Sequence, residues 1–168
     1  TLGVKGEENF TSNGISWCAI CDGPLYKDKK VVVIGGGNSA VEESIFLTSI
    51  STHVTVVQNL DRLTADKKAI DTLKEKKNLD IYYNAQVVEF IGNDSLEAVR
   101  IHVDGKDIVI PTDGVFEYIG LVPVTGFTKH LGITNEQGYI EVTPKMETKV
   151  KGIYAAGDVT AKQIRQIV

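Results

Sequence analysis

Lys30-Val31-Val32-Val33-Ile34-Gly35-Gly36-Gly37-Asn38-Ser39-Ala40-Val41-Glu42-Glu43 decides the fold class. An apolar, β-branched run stops at three glycines and gives way to residues with helical spacing, with Ala40, Val41, Ser44, Ile45 and Leu47 near one face. Gly35 to Ala40 fits G-x-G-x-x-A, the pattern of a turn that receives a dinucleotide pyrophosphate. The first glycine permits a tight turn, Gly37 lets the backbone approach a phosphate, and Ala40 lets the helix pack close to the strand. Free N–H groups and the positive end of the helix would hold the anion, which makes Gly35, Gly36, Gly37, Asn38, Ser39 and Ala40 candidate contacts. An ordinary glycine-rich turn of an α/β protein is the plainer alternative.

Working outward, His53-Val54-Thr55-Val56-Val57 reads as a second buried strand. The pattern predicts a helix over about 66–76 with Ala69, Ile70 and Leu73 as its stripe, and a third strand at 80–83. Strand, glycine turn, helix, strand, helix, strand is the order of a parallel α/β nucleotide fold. Segments 86–91, 96–103 and 107–110 alternate and are separated by turn residues, so they read as antiparallel hairpins. Residues 114–119 form another buried strand ending at Gly120, and 138–142 a hairpin-like element.

The second strand should end near the ribose of a bound nucleotide, where an acid would hold a 2′-hydroxyl and arginines a 2′-phosphate. This chain offers Gln58, Asn59, Leu60 and Asp61, with Arg62 beyond. Neutral amides can hydrogen-bond a ribose hydroxyl but cannot neutralise a phosphate dianion.

Cys18 and Cys21 are the two cysteines of the chain and form a C-x-x-C. So short a loop adds little chain-entropy stabilisation, and the spacing suits a reversible redox couple or half of a metal site. Zinc normally takes four ligands, and His53, His102 and His130 show no matching spacing. A redox pair, a zinc site and an inert pair of thiols remain the three readings. In the first, Asp22 is placed to carry the proton that accompanies thiolate chemistry.

The 168 residues, with 42% hydrophobic and 24% charged, describe a soluble globular chain. A net charge of -4 gives no electrostatic reason to bind nucleic acid or an anionic membrane, and no apolar run is long enough to span a bilayer. The opening residues lack the pattern of a secretory signal, so a cytoplasmic location is expected. The missing initiator Met hints at a fragment or a processed chain.

The order Cys18-Ala19-Ile20-Cys21-Asp22-Gly23, strand, then Gly35-Gly36-Gly37-Asn38-Ser39-Ala40-Val41-Glu42-Glu43 resembles the central part of bacterial-type, low-molecular-weight thioredoxin reductases. Leu2 to Glu8, Tyr118 to Pro123, Gly152 to Val159 and Arg165-Gln166-Ile167 resemble further segments of that family, so the likeness covers essentially the whole chain. The resemblance implies a Rossmann-like three-layer FAD/NAD(P)-binding fold of parallel sheet, helices and antiparallel β-meander. Residues 1–124 would be the NAD(P)-binding domain with the redox C-x-x-C, and 125–168 the returning part of an incomplete FAD-binding domain. It implies a flavin-dependent disulfide oxidoreductase passing electrons from NAD(P)H through FAD to a Cys18–Cys21 disulfide, and on to thioredoxin or a similar small disulfide protein.

By the same resemblance Cys21 faces the flavin, Cys18 attacks the partner and Asp22 is the general acid. Nucleotide contacts extend to Glu42, Ile119 and Gly120, and FAD contacts fall on Gly157, Asp158, Arg165, Gln166 and Ile167. The parent would be a homodimer. The isolated piece would lack the other half of the FAD domain, and with it activity. The family usually carries a His-Arg-Arg…Arg cluster where this chain has Gln58, Asn59, Leu60 and Thr64, which argues against a strong NADPH preference. The alternatives are a divergent relative with a non-NADPH donor and a non-catalytic NAD-binding module. Ile153, Tyr154, Ile164, Ile167 and Val168 would face the missing domain and form an apolar patch.

Overall fold

The structure, a computed structural model, describes residues 1–120 and 123–161. The chain divides into two compact units, Thr1–Ile119 and Gly120–Val168. The first contains a parallel sheet of five strands in the order β1-β8-β2-β3-β4 and an antiparallel sheet in the order β5-β6-β7. The parallel strands are β1 (Ile15–Ser16), β2 (Lys30–Ile34), β3 (His53–Val57), β4 (Leu79–Tyr82) and β8 (Gly114–Glu117); the antiparallel ones are β5 (Gln86–Gly92), β6 (Leu96–Val103) and β7 (Lys106–Pro111). The helices are α1 (Glu7–Phe10), α2 (Ala19–Asp22), α3 (Asn38–Thr48) and α4 (Lys67–Lys74), and Gly23–Tyr26 forms a 3-10 turn.

Successive side chains of a strand point to opposite faces, and here both faces are covered. Val31 and Val33 of β2, Val54 and Val56 of β3, and Phe116 of β8 pack with Ala40, Val41 and Leu47 of α3 and Leu73 of α4. Val32, Ile34, Val57 and Val115 point the other way, against Phe90, Val99 and Ile101 of the antiparallel sheet. The first unit is therefore helices, parallel sheet and antiparallel meander in three layers. Burying a Val, Leu or Phe side chain stabilises by roughly 1.5–3 kcal/mol, so the doubly covered strands β2 and β3 dominate the fold.

Several boundaries differ from the sequence expectation. The α4 helix covers Lys67–Lys74 rather than 66–76, because Lys76 N–H already closes a turn on the Leu73 carbonyl. Strand β8 stops at Glu117, although Tyr118 N–H still donates to the Ile34 carbonyl at 2.7 Å. The hairpin expected at 138–142 is no strand pair. Ile140 alone is buried there, with single bridges to Thr134 and Thr160. In the second unit Tyr154 is exposed and Ile153 half-buried; Ile164, Ile167 and Val168 lie outside the described residues.

The two-residue β1 carries weight beyond its length. Ile15 and Ser16 pair in parallel with Val115 and Phe116, which delivers Trp17 and Cys18 to the carboxyl edge of the parallel sheet. The glycine loop leaves that edge from β2, Gln58 from β3, and Tyr118 from β8. The strand order runs away from β2 in opposite directions, toward β3 on one side and β8 on the other. In open α/β sheets that crevice is where ligands bind.

Candidate functional site

The glycine loop lines a cleft of about 520 Å³ at this crevice. Gly35 has φ +123, and a Cβ there would run into the Tyr118 carbonyl. At Gly36 a Cβ would meet the Gln58 amide nitrogen at 2.5 Å and a Leu63 methyl at 2.9 Å. Gly37 differs: the nearest atom to a Cβ would be Thr64 Oγ1 at 3.9 Å. The first two glycines relieve collisions inside the protein, and the third leaves open space in front of α3. Gly37 is the N-cap of that helix, no side chain caps it, and its first turn holds no acidic residue. The unneutralised helix start and the space before it fit a phosphate group.

Around the loop, Asn38 is exposed and its Oδ1 accepts from Asp66 N–H at 2.8 Å, tying the starts of α3 and α4 together. Ser39 is exposed, Ala40 is buried against β2, and Glu42 is exposed on α3. Ile119 lines the cleft and is exposed, as is Gly120 at φ +88. The opposite wall comes from Leu2, Val4 and Val87.

Gln58 lines the cleft but is buried, and its amide is committed locally. Its Nε2 donates to the Arg62 carbonyl at 3.0 Å and its Oε1 accepts from Asn59 N–H at 3.2 Å. It shapes the loop after β3, leaving Asn59 and Leu60 exposed at the cleft mouth. Arg62 is exposed and paired with Asp61 at 3.2 Å. Among the described residues lining the cleft, none is Lys or Arg.

Cys18 and Cys21 form a disulfide with Cα atoms 5.3 Å apart. Cys18 is the N-cap of α2, its Sγ accepting from Cys21 N–H at 3.2 Å; Cys21 is exposed. Ser16 Oγ accepts from Cys18 N–H at 3.1 Å and donates to Asp22 Oδ2 at 2.6 Å, which fixes Asp22 beside the pair. The first turn of α2 is also held from afar. Ala19 N–H donates to Tyr118 Oη at 2.8 Å, Tyr118 O–H donates to Glu43 Oε2 at 2.9 Å, and Ile20 N–H donates to the same oxygen at 3.1 Å. Burial raises the Tyr118 hydroxyl well above the ordinary tyrosine range, and the bond to Glu43 adds to this, so it stays a donor.

Glu42, expected from the sequence as a nucleotide contact, is exposed on α3, and its neighbour Glu43 makes the contacts to Ile20 and Tyr118. Ser16, Glu43, Tyr118 and Glu117 received no role from the sequence. The one available signal was a polar residue within or beside an otherwise apolar strand, as at Ser16 and Glu117. Gly157 and Asp158 lie in the second unit; Gly157 has φ +83, its carbonyl accepts from Thr160 Oγ1 at 2.8 Å, and Asp158 is exposed. Arg165, Gln166 and Ile167 lie outside the described residues.

A three-layer dinucleotide-type domain with a disulfide at the carboxyl edge of its sheet defines a nucleotide-linked dithiol–disulfide module. The chain belongs to the pyridine nucleotide-disulphide oxidoreductase family, whose model matches residues 1–168. It is 45% identical over 170 residues to a thioredoxin reductase of Listeria innocua, covering 99% of this chain and 53% of that protein. A solved Lactococcus lactis thioredoxin reductase is similar with a TM-score of 0.87 and 35% identity, over 99% of this chain and 56% of that one. A ferredoxin-flavin thioredoxin reductase from Clostridium acetobutylicum is similar with a TM-score of 0.57 and 31% identity, over 97% and 52%. The resemblance read from the motifs thus extends along the whole chain, while the chain spans about half the length of the relatives it matches.

Proposed function

We propose that this chain is the pyridine-nucleotide and disulfide portion of a flavin-dependent thioredoxin reductase-type enzyme. The observation that carries the reading is the Cys18–Cys21 disulfide on the same sheet edge as the glycine cradle. The N–H groups at the start of α3 and the space in front of Gly37 receive the pyrophosphate, Asn59 meets the adenosine ribose, and Ile119 and Gly120 close the nicotinamide end. FAD, bound partly through Gly157, Asp158, Arg165, Gln166 and Ile167 and partly by chain outside these 168 residues, supplies the two-electron relay between nicotinamide and disulfide. Cys21 faces that relay.

Reduction adds two electrons and two protons to the disulfide. The Cys18 thiolate then attacks a disulfide of the partner, forming a mixed disulfide and expelling a thiolate that takes a proton. Cys21 attacks Cys18, which re-forms the bridge and releases the partner as a dithiol. Asp22, held by Ser16, gives the proton. The partner is a thioredoxin-like protein, the parent acts as a homodimer, and the location is cytoplasmic.

The absence of Lys and Arg from the described cleft lining favours a donor without a 2′-phosphate. In the full-length enzyme, NADH should bleach the flavin at concentrations no higher than NADPH requires. Replacing Asn59 and Leu60 by arginine should raise NADPH affinity about tenfold, the gain of one charge-assisted pair. A native enzyme that binds NADPH far more tightly than NADH contradicts this donor assignment. Cys21→Ser should retain flavin reduction and lose reduction of the disulfide protein; unchanged turnover would rule out the relay.

A further inference from the structure

Glu117 is a buried carboxyl group to which the reaction above gives no task. It ends β8, paired in register with Ile34 of β2, and is only 2% exposed. One oxygen is satisfied: Oε2 accepts from the indole N–H of Trp17 at 3.0 Å. The other, Oε1, is buried with no N–H or O–H aimed at it. The acid beside it is Glu7 of α1, also buried at 3%. Glu7 is already served: Oε1 accepts from Leu2 N–H at 2.8 Å, and Oε2 from Gly3 N–H at 2.6 Å and Val4 N–H at 3.3 Å. Two carboxyl groups sealed side by side do not both ionise without a large cost, and an unsatisfied buried oxygen carries its own. A proton on Glu117, donated toward Glu7, removes both.

The pair has a definite place. Leu2 and Val4, held by Glu7, line the nucleotide cleft. Trp17, held by Glu117, directly precedes Cys18 of the disulfide. We propose that Glu117 is a positioning residue whose proton, shared with Glu7, ties the cleft wall at residues 2–4 to Trp17 and thereby to the start of the redox disulfide. The proton link stands on contacts within this chain; its bearing on electron transfer rests on the function proposed above. The groups facing Glu117 are Glu7, which with burial raises its pKa to about 7, and the Trp17 N–H and Thr1 amino group, which pull it down. The link is complete below that pH. It opens above it, when Glu117 has lost the proton that forms the link.

Trp17 is the single tryptophan of the chain and reports on its own hydrogen bond. Emission of the oxidised 168-residue chain should show one transition on pH titration, with its midpoint near 7. Glu117→Gln, whose amide stands in for the protonated carboxyl, should abolish that transition and keep the emission of the low-pH form throughout. Flat wild-type emission, or the same transition in Glu117→Gln, overturns the proposal. Difference infrared spectra of the wild type give an answer even where the variant fails to fold. The carbonyl stretch of a protonated, buried carboxylic acid should vanish with the same midpoint, and its absence at low pH overturns the link. Nicotinamide nucleotide binding to the same chain is measured separately: titration without binding leaves the link and removes the function, and binding without titration does the reverse.

Discussion

A carboxyl group sealed into the end of β8 affects the stability of the fold as well as its connections. In the folded chain Glu117 keeps its proton up to about pH 7, against 4.5 for an ordinary glutamate, chiefly because burial penalises the charge and Glu7 repels it. Below pH 4.5 the folded and unfolded chains both hold the proton, and the residue makes no pH-dependent contribution. Between those values the unfolded chain releases it and the folded chain does not, so stability falls as pH rises. Above about pH 7 the loss is complete at about 3 kcal/mol. Urea unfolding across this range should therefore show Glu117→Gln gaining about 3 kcal/mol on the wild type between acid and mildly alkaline pH; parallel curves would mean that Glu117 titrates normally. Tyr118 acts without titrating. Tyr118→Phe leaves the N–H of fully buried Ala19 without its acceptor and Glu43 without a donor, so it should cost about 1–3 kcal/mol in the same assay and speed reduction of the disulfide by small dithiols. Neither role could be read from sequence, because a buried glutamate and a buried tyrosine are defined by neighbours 75 to 110 positions away.

At the scale of elements, legibility followed the number of residues available to carry a pattern. Strands β2, β3 and β6 have the limits their β-branched runs suggest, since each is buried on the faces its alternation serves. The two residues of β1 and four of α2 hold no periodicity, yet they place the disulfide. Their positions come from partner strand β8, from the Cys18 cap and from the remote Glu43–Tyr118 pair. The glycine loop was legible because each glycine answers a steric demand, but the demands differ, and this separates folding from binding. Gly36→Ala pushes a methyl into Gln58 and Leu63 and should destabilise the chain by about 1–3 kcal/mol, the usual cost of overpacking. Gly37→Ala has room, with φ −81 and no near neighbour, so its stability should change by less than about 1 kcal/mol. Its methyl stands where the pyrophosphate would lie, and calorimetry should show at least a tenfold, or roughly 1.4 kcal/mol, loss of nucleotide affinity. Equal affinity in a folded Gly37→Ala chain would remove the phosphate from that position. Gln58 marks the limit of reading this site from sequence: an amide after β3 looks the same whether it faces a ribose or, as here, closes its own loop.

For the whole molecule, the decisive question is where electrons stop. The chain spans about half of the relatives it matches, and its described cleft and disulfide lie in the first unit, while Gly157 and Asp158 lie in the second. Hydride transfer needs reacting atoms about 3–3.5 Å apart. A nicotinamide cannot hand two electrons to a sulfur pair without a carrier that accepts hydride on one side and reduces sulfur on the other. The 168-residue chain mixed with excess NADH or NADPH should therefore retain its Cys18–Cys21 disulfide, with no thiol appearing in a colorimetric thiol assay. A small dithiol should open it, because Cys21 is exposed. The full-length enzyme, flavin-loaded and given the same nucleotide, should gain two thiols per chain from this bridge, and Cys18→Ser, whose Cys21 is a free thiol from the start, should gain none there. Thiols appearing in the 168-residue chain with nucleotide alone would show that the cleft and the disulfide communicate directly, and would exclude the three-carrier relay on which the proposed function depends.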